Sequence, residues 1–406
     1  MPASDPLTLP FQPLELPCGV VLPNRIAKAA MSDSLGDGEG NPTQAQIRLY
    51  GRWAEGGVGL SIVGEVQGDP FFAEKPGNLV LNEQSDCAAL RELARRGGSG
   101  NTSLWLQLGH AGALTHPPIG TPKGPSALDL PGLLSDELSP SEIAALPGLF
   151  ARTARLARDL GFGGVEIHAA HGFLLSQFLS PLFNRRPDAY GGPIANRMRL
   201  LLEVIEAVRG AVGDRFPVGL KLNATDQLVG GLAPNDALEV VAALDRTSID
   251  LIDISGGTYF PGAASASDRA SSGPYFLDFA RAARERTGKP LMVTGGFKTR
   301  SDSIRALEGG SADVIGLARA LVLEPHLPNR WRAVGEVNQP VDVVFPRFDD
   351  PPEGGITAWY TMRLADLGHD RAETHGDLRA AIAAYDARDA TREKRWRRRF
   401  PVSKTT

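Results

Sequence analysis

Short apolar runs recur eight times along the chain, each followed by a loop and then by a helical pattern. They occupy residues 26–30, 60–64, 103–108, 164–167, 218–222, 251–254, 291–293 and 314–316. Runs this short, bounded by glycine or polar residues, predict strands buried on both faces. Helical periodicity fills the intervals at 43–55, 84–96, 139–160, 194–212, 235–245, 274–286 and 300–308, with a last helix expected near Pro325. Thr43 and Asn235 offer N-cap side chains, and Ser139-Pro140 places proline at a first helical position. Gly56-Gly57, Gly161, Gly213, Gly288 and Gly309-Gly310 stand where helices should stop. Eight alternating strand–helix units predict an α/β fold, a parallel (β/α)8 (TIM) barrel. The competing architecture is a doubly wound open sheet, but no G-x-G-x-x-G follows the first run.

The barrel is expected to occupy 1–345, with a helical extension over 346–406. Residues 1–10 read as loose, and 14–16 with 20–22 as a hairpin around Pro17-Cys18-Gly19, capping the barrel at its N-terminal end. The Gly- and Pro-rich stretch 109–138 has no periodicity and reads as an excursion over the barrel mouth. In the extension, 356–367 and 378–385 are apolar-periodic, and a basic run follows at 392–399. On a 406-residue chain of net charge −4 that run reads as a solvated helix face, so neither nucleic acid nor an anionic membrane is an expected partner. Two cysteines, Cys18 and Cys87, exclude a disulfide framework and a cysteine-held iron–sulfur cluster. With no basic-then-apolar leader and no apolar run of about 18 residues, a cytoplasmic protein is expected, acting on a small molecule. A homo-oligomer is an admissible assembly.

The fourth run ends in a chemical signal, Val165-Glu166-Ile167-His168-Ala169-Ala170-His171-Gly172-Phe173. His168 and His171, three apart at a strand end, can aim two N–H donors at one oxygen. A metal site is the competing reading, but no third or fourth ligand lies at a convincing spacing, so no metal is predicted. The bland reading is two histidines satisfied by nearby backbone. Strand ends are where barrels carry chemistry, which favours the donor pair. Gly295-Gly296 after the seventh run and Ala318-Arg319 after the eighth occupy the usual phosphate-binding corner of such barrels.

The segment 166–181, with Asn184-Arg185-Arg186-Pro187-Asp188-Ala189-Tyr190-Gly191-Gly192 and Leu22-Pro23-Asn24-Arg25-Ile26, resembles the Old Yellow Enzyme family of flavin-dependent ene-reductases. The likeness runs from about residue 11 to 345, with its motifs in the family's order. It implies FMN as cofactor and NADH or NADPH as co-substrate. It implies that Ala29, Ala30, Met31 and Ser32 line the flavin ring, and that Gln107 holds the pyrimidine edge. It further implies that Lys221 sits near flavin N1, where the family usually has arginine, and that Gly295, Gly296, Ala318 and Arg319 hold the phosphate. Glu65 receives no role. His168 and His171 would bind the oxygen of an α,β-unsaturated carbonyl. The family's proton-donating tyrosine is replaced by Phe173, which becomes a substrate-lining residue, and Tyr259 is the candidate substitute acid. The function implied is NAD(P)H-driven reduction of electron-poor double bonds. The alternatives are a desaturase or dehydrogenase, a nitro or quinone reductase, or a catalytically silent flavin-binding barrel.

Overall fold

The structure is a computed structural model and describes residues 6–260, 273–333, 342–372 and 376–401. Among these residues, eight parallel strands close on themselves. They are β1 (Ile26–Lys28), β2 (Leu60–Gln67), β3 (Ser103–Gly109), β4 (Gly164–Ala169), β5 (Val218–Asn223), β6 (Leu251–Ser255), β7 (Leu291–Thr294) and β8 (Val314–Leu317). β1 pairs with both β2 and β8, which makes the sheet a barrel and rules out the open sheet. β1 ends at Lys28, so Ala29 and Ala30 lie beyond the strand, in the loop.

The lower barrel interior is apolar. Leu16, Leu22, Ala27, Ala29, Leu60, Ile62, Trp105, Leu251, Met292 and Val314 form one buried cluster. Trp105 fills the space that side chains on two neighbouring strands would occupy. A Cβ on Gly164 would stand 2.6 Å from its indole, and one on Gly219 2.7 Å. The hairpin forms, with Leu14–Glu15 antiparallel to Val21–Leu22, and delivers Leu16 and Leu22 into that cluster.

Helix starts follow local chemistry. Thr43 caps Gln44–Glu55, and Ser139 with Glu142 makes a reciprocal capping box on Pro140–Asp159. Several expectations are corrected. Asn235 is not the cap: Pro234 takes the first helical position after Ala233, which has no side chain to cap with. The second helix starts at Cys87, because Asp86 accepts from the Ala88 and Ala89 N–H groups. The periodic stretch 194–212 is two helices, Ile194–Arg197 and Arg199–Val212, joined at Met198. The helix expected to end near Gly288 is Leu277–Arg284. The end of the N-terminal segment is ordered: Pro6–Phe11 form a 3-10 helix, and Arg300 Nη2 donates to Leu7 O at 2.8 Å. The 109–138 excursion carries a small sheet of Lys123–Gly124, Leu128–Leu130 and Leu133–Glu137.

The extension comprises helices Gly355–Gly368 and Leu378–Arg399. Its basic end is not merely a solvated face. Arg392 donates to Ser34 O, Arg395 to Asp37 O (3.1 Å) and Arg399 to Gln84 O (3.0 Å). Trp396, fully buried, packs with Ala73, Val80, Ile119 and Phe400. The guanidinium stems thereby carry a helix across the loops that follow β1 and β2. No helix among the described residues is long and apolar enough to cross a membrane.

Candidate active site

β4 brings His168 to the mouth of the barrel, and the chain then turns sharply. His171 has φ +60°, a left-handed backbone that a non-glycine residue adopts only when its surroundings hold it there. Those surroundings are visible: Asn223 Oδ1 on β5 accepts from His171 N–H at 3.0 Å, and Tyr259 N–H donates to His171 O at 3.1 Å. The two imidazoles sit edge to face with centroids 5.3 Å apart. Phe173 lies 4.8 Å from the His168 ring and is 2 % exposed. Tyr259 reaches over from the loop after β6, its ring 5.9 Å from both His171 and Phe173. The structure therefore brings together His168, at the end of β4, with His171 and Phe173 in the turn that follows it and Tyr259 in the loop after β6. Tyr259 is 59 % exposed at the mouth.

Both histidines are neutral at physiological pH. Burial, followed by the charge of Lys221, pulls His171 down to about 3; burial, then His171 and Lys221, hold His168 well below its ordinary value. Ala170 N–H donates to His168 Nδ1 at 3.4 Å, so the ring proton of His168 resides on Nε2. His171 Nε2 lies 2.9 Å from Ser255 Oγ; when the serine donates, the histidine carries its proton on Nδ1. Two neutral N–H donors are what a carbonyl or nitro oxygen needs from a pocket.

Beneath the histidines lies a layer of polar side chains pointing into the barrel. Gln107 Nε2 donates to Glu166 Oε1 at 2.7 Å, and Lys221 Nζ is 3.9 Å from that same oxygen. Lys221 is hydrogen-bonded to Asp253, which also accepts from Thr294 Oγ1 at 2.7 Å. The Lys221, Glu166 and Asp253 side chains are 0–1 % exposed. Burial alone would pull the Lys221 ammonium down; the Asp253 and Glu166 carboxylates outweigh it and hold the group above its ordinary value. Burial pushes Glu166 up to about 8, against the favourable charge of Lys221. Asp253 is a site residue that motif reading passes over. Its signal is an acid within the apolar run Leu251-Ile252-Asp253-Ile254, since a buried carboxylate requires a partner.

A second missed group anchors the loop after β1. Lys28, 0 % exposed, donates to Tyr50 OH (3.0 Å) and Ile62 O (2.7 Å). Tyr50 OH and Gln46 Nε2 both donate to Asp33 (2.9 Å each). Burial, opposed by Asp33 and Glu166, brings Lys28 down to about 7. This network ties the segment containing Met31 and Ser32 to the first helix.

The corner expected to hold phosphate is built from backbone. Gly295 and Gly296 have φ +110° and +83°, and a Cβ on Gly296 would meet Gly273 O at 2.4 Å. Arg319 begins the helix Arg319–Leu323 directly after Ala318, and its guanidinium lies 5.4 Å from the Tyr360 ring of the extension. A flat, phosphate-bearing cofactor fits the set. Ser32 Oγ and Glu166 Oε2 are buried without a hydrogen bond, and the side-chain-free turn at Gly295-Gly296 allows the close backbone approach that a phosphate needs. Gln107, fixed by one N–H, retains a second N–H and a carbonyl for an edge that both donates and accepts.

A closed parallel barrel that gathers its polar and aromatic side chains at the C-terminal ends of its strands has the layout of a barrel enzyme. The chain belongs to the NADH:flavin oxidoreductase / NADH oxidase family, whose model matches residues 10–335, and with it to the Old Yellow Enzyme group that uses FMN and NAD(P)H. It is 38% identical to the NADH-dependent flavin oxidoreductase iliE of Neonectria sp., over 78% of this chain and 46% of that one. It is 35% identical to the NADH-dependent flavin oxidoreductase iccE of Talaromyces variabilis, over 87% of this chain and 97% of the relative. The chain thus spans about half of the first relative and nearly all of the second. Among solved structures, morphinone reductase in complex with tetrahydroNAD superposes with a TM-score of 0.69 at 26% identity, covering 82% of this chain and 92% of that one.

Proposed function

We propose that this enzyme uses NAD(P)H to reduce electron-poor double bonds, chiefly of α,β-unsaturated carbonyl compounds. The observation that carries the reading is the pair of neutral imidazoles, His168 buried and His171 half-buried, 5.3 Å apart at the end of β4. FMN, when bound, would supply the hydride chemistry. His168 Nε2–H and a His171 N–H grip the carbonyl oxygen and stabilise the negative charge that develops there. Because both rings are neutral, they donate hydrogen bonds without handing over a proton. Phe173 and Tyr259 form the aromatic wall of the pocket, and Phe173 has no proton to give. Tyr259, whose ring lies 5.9 Å from that of Phe173, is the side chain proposed to protonate the substrate carbon. Desolvation at the pocket mouth, and then the Glu65 and Glu74 carboxyls, raise Tyr259 above its ordinary value, so it holds its proton at neutral pH.

The pair is tested with phenols, which mimic the bound oxyanion. Replacing His168 or His171 by Ala should remove the long-wavelength charge-transfer band that phenols give with oxidised flavin, while FMN stays bound. A full band in both variants would refute oxygen binding by the pair.

Phe173 favours a second reading, a nitro or quinone reductase, because such acceptors need no carbon protonation. Phe173→Tyr separates the two. For an enone reductase it should speed the oxidative half-reaction by roughly 10-fold or more, with flavin reduction by NAD(P)H little changed in anaerobic stopped-flow. No gain with enones, joined to fast quinone turnover, favours the second reading.

A further inference from the structure

We infer that Asp253 sets the electron affinity of the flavin by balancing the Lys221 ammonium, making the floor of the cofactor site a neutral buried ion pair rather than a bare cation. The inference rests on the flavin site and not on the choice of substrate.

The geometry is a continuous layer across five neighbouring strands. Glu166 stands beside Gln107 in the β3–β4 register, and Lys221 stands beside Asp253 in the β5–β6 register. Hydrogen bonds carry the layer from Gln107 to Glu166 and from Lys221 to Asp253 and on to Thr294. Thr294 directly precedes Gly295-Gly296, the phosphate corner, so the layer underlies the site from the Gln107 side to the phosphate side. The charge of Lys221 reaches the substrate pocket as well, because it is among the groups that disfavour protonation of both His168 and His171.

Reducing a flavin adds negative charge to the ring. A full positive charge in a water-free floor would draw electrons onto it, and a carboxylate bonded to that cation cancels most of the pull at the distance of the ring. The lysine contributes to this balance. An ammonium is a compact charge that one carboxylate satisfies, whereas a guanidinium offers five donors in a fork and reaches several partners at once. Thr294 Oγ1–H holds the second carboxylate oxygen of Asp253, so the side chain is fixed beside the lysine.

The test is the midpoint potential of FMN in the purified holoenzyme, read by dye equilibration, together with the dissociation constant of sulfite, which adds to oxidised flavin as an anion. Asp253→Asn should shift the reduction equilibrium at least about 10-fold towards reduced flavin, a rise of roughly 30 mV for two electrons, and tighten sulfite by a similar factor. Asp253→Glu retains the charge and should return both quantities to within about threefold of wild type. The double variant Lys221→Met/Asp253→Asn removes both members of the pair and leaves Glu166, which burial pushes up to about 8 and so keeps protonated at neutral pH, and should also lie near wild type, whereas Lys221→Met alone should shift the equilibrium the other way. FMN-bound Asp253→Asn with unchanged potential and sulfite affinity overturns the inference. Should that variant fail to fold, the double variant decides: a potential as low as that of Lys221→Met alone shows Lys221 acting as a bare cation and overturns it equally. Wild-type protein that takes up no FMN would sink the flavin reading itself, a result seen in cofactor content before any potential is measured.

Discussion

The two ends of the barrel interior are built from the same strands and behave as different materials. On β3 the inward position is Trp105 in the lower layer and Gln107 two residues on; on β6 it is Leu251 and then Asp253; on β7, Met292 and then Thr294. On β4 and β5 the lower positions are Gly164 and Gly219, making room for the Trp105 ring, and the upper ones are Glu166 and Lys221. One step of the two-residue strand period converts a close-packed apolar plug into a buried ionic layer. The lower end holds the barrel together by excluding water. The upper end is stabilised only while every charge has its partner, which is the condition an active site can exploit.

The plug gives the largest effect. Trp105→Ala should cost ~3–5 kcal/mol, because the surrounding strands already sit close around the ring and have little room to collapse into the hole. Chemical denaturation measures it; a loss under about 1 kcal/mol would mean the lower layer is not the mechanical core argued here.

At the upper end, backbone matters more than bulk. Gly296→Ala puts a Cβ at a φ of +83° and within 2.4 Å of Gly273 O, so the turn must shift. FMN affinity of the apoprotein should fall by at least about 10-fold, near 1.4 kcal/mol, while the melting temperature without flavin drops only slightly. Equal losses in both measurements would show the turn to be structural scaffolding rather than a cofactor cradle.

A further effect is on pH dependence. His110, 3 % exposed and stacked on Phe72 at 4.1 Å, is held by burial down to about 3. It stays neutral in the fold while the unfolded chain takes up a proton below about 6.5. The unfolded state then binds more protons, so stability rises with pH in this window. It is fully present above about 6.5 and declines as the pH falls towards 3, by up to ~1.4 kcal/mol per unit. His110→Phe should flatten the limb between pH 6 and 4 by that amount at most. An unchanged slope would mean that the ring is protonated in the folded protein.

The strand count, the helix stops at Gly161 and Gly213, the histidine pair and the glycine turn after β7 are legible in the sequence, because each is a local pattern. Strand period, left-handed turns and the i, i+3 spacing need no knowledge of distant residues. Helix starts are less legible where caps compete: Pro234 overrides Asn235, and Asp86 overrides the onset at 84. The basic run at 392–399 is visible as charge, yet the carbonyls of Ser34, Asp37 and Gln84 that it meets lie more than 300 residues away.

By itself the sequence determined a barrel of eight strand–helix units and placed two histidines, two glycines and an arginine at the ends of its strands. Tertiary structure alone decided what those ends face. Lys221 finds Asp253 at a separation of 32 residues, and Gln107 finds Glu166 at 59, because barrel closure turns inward positions of neighbouring strands into contacts. The state of a buried charge is set by which groups lie within a few ångströms of it, and chain order holds no record of that distance until the barrel closes.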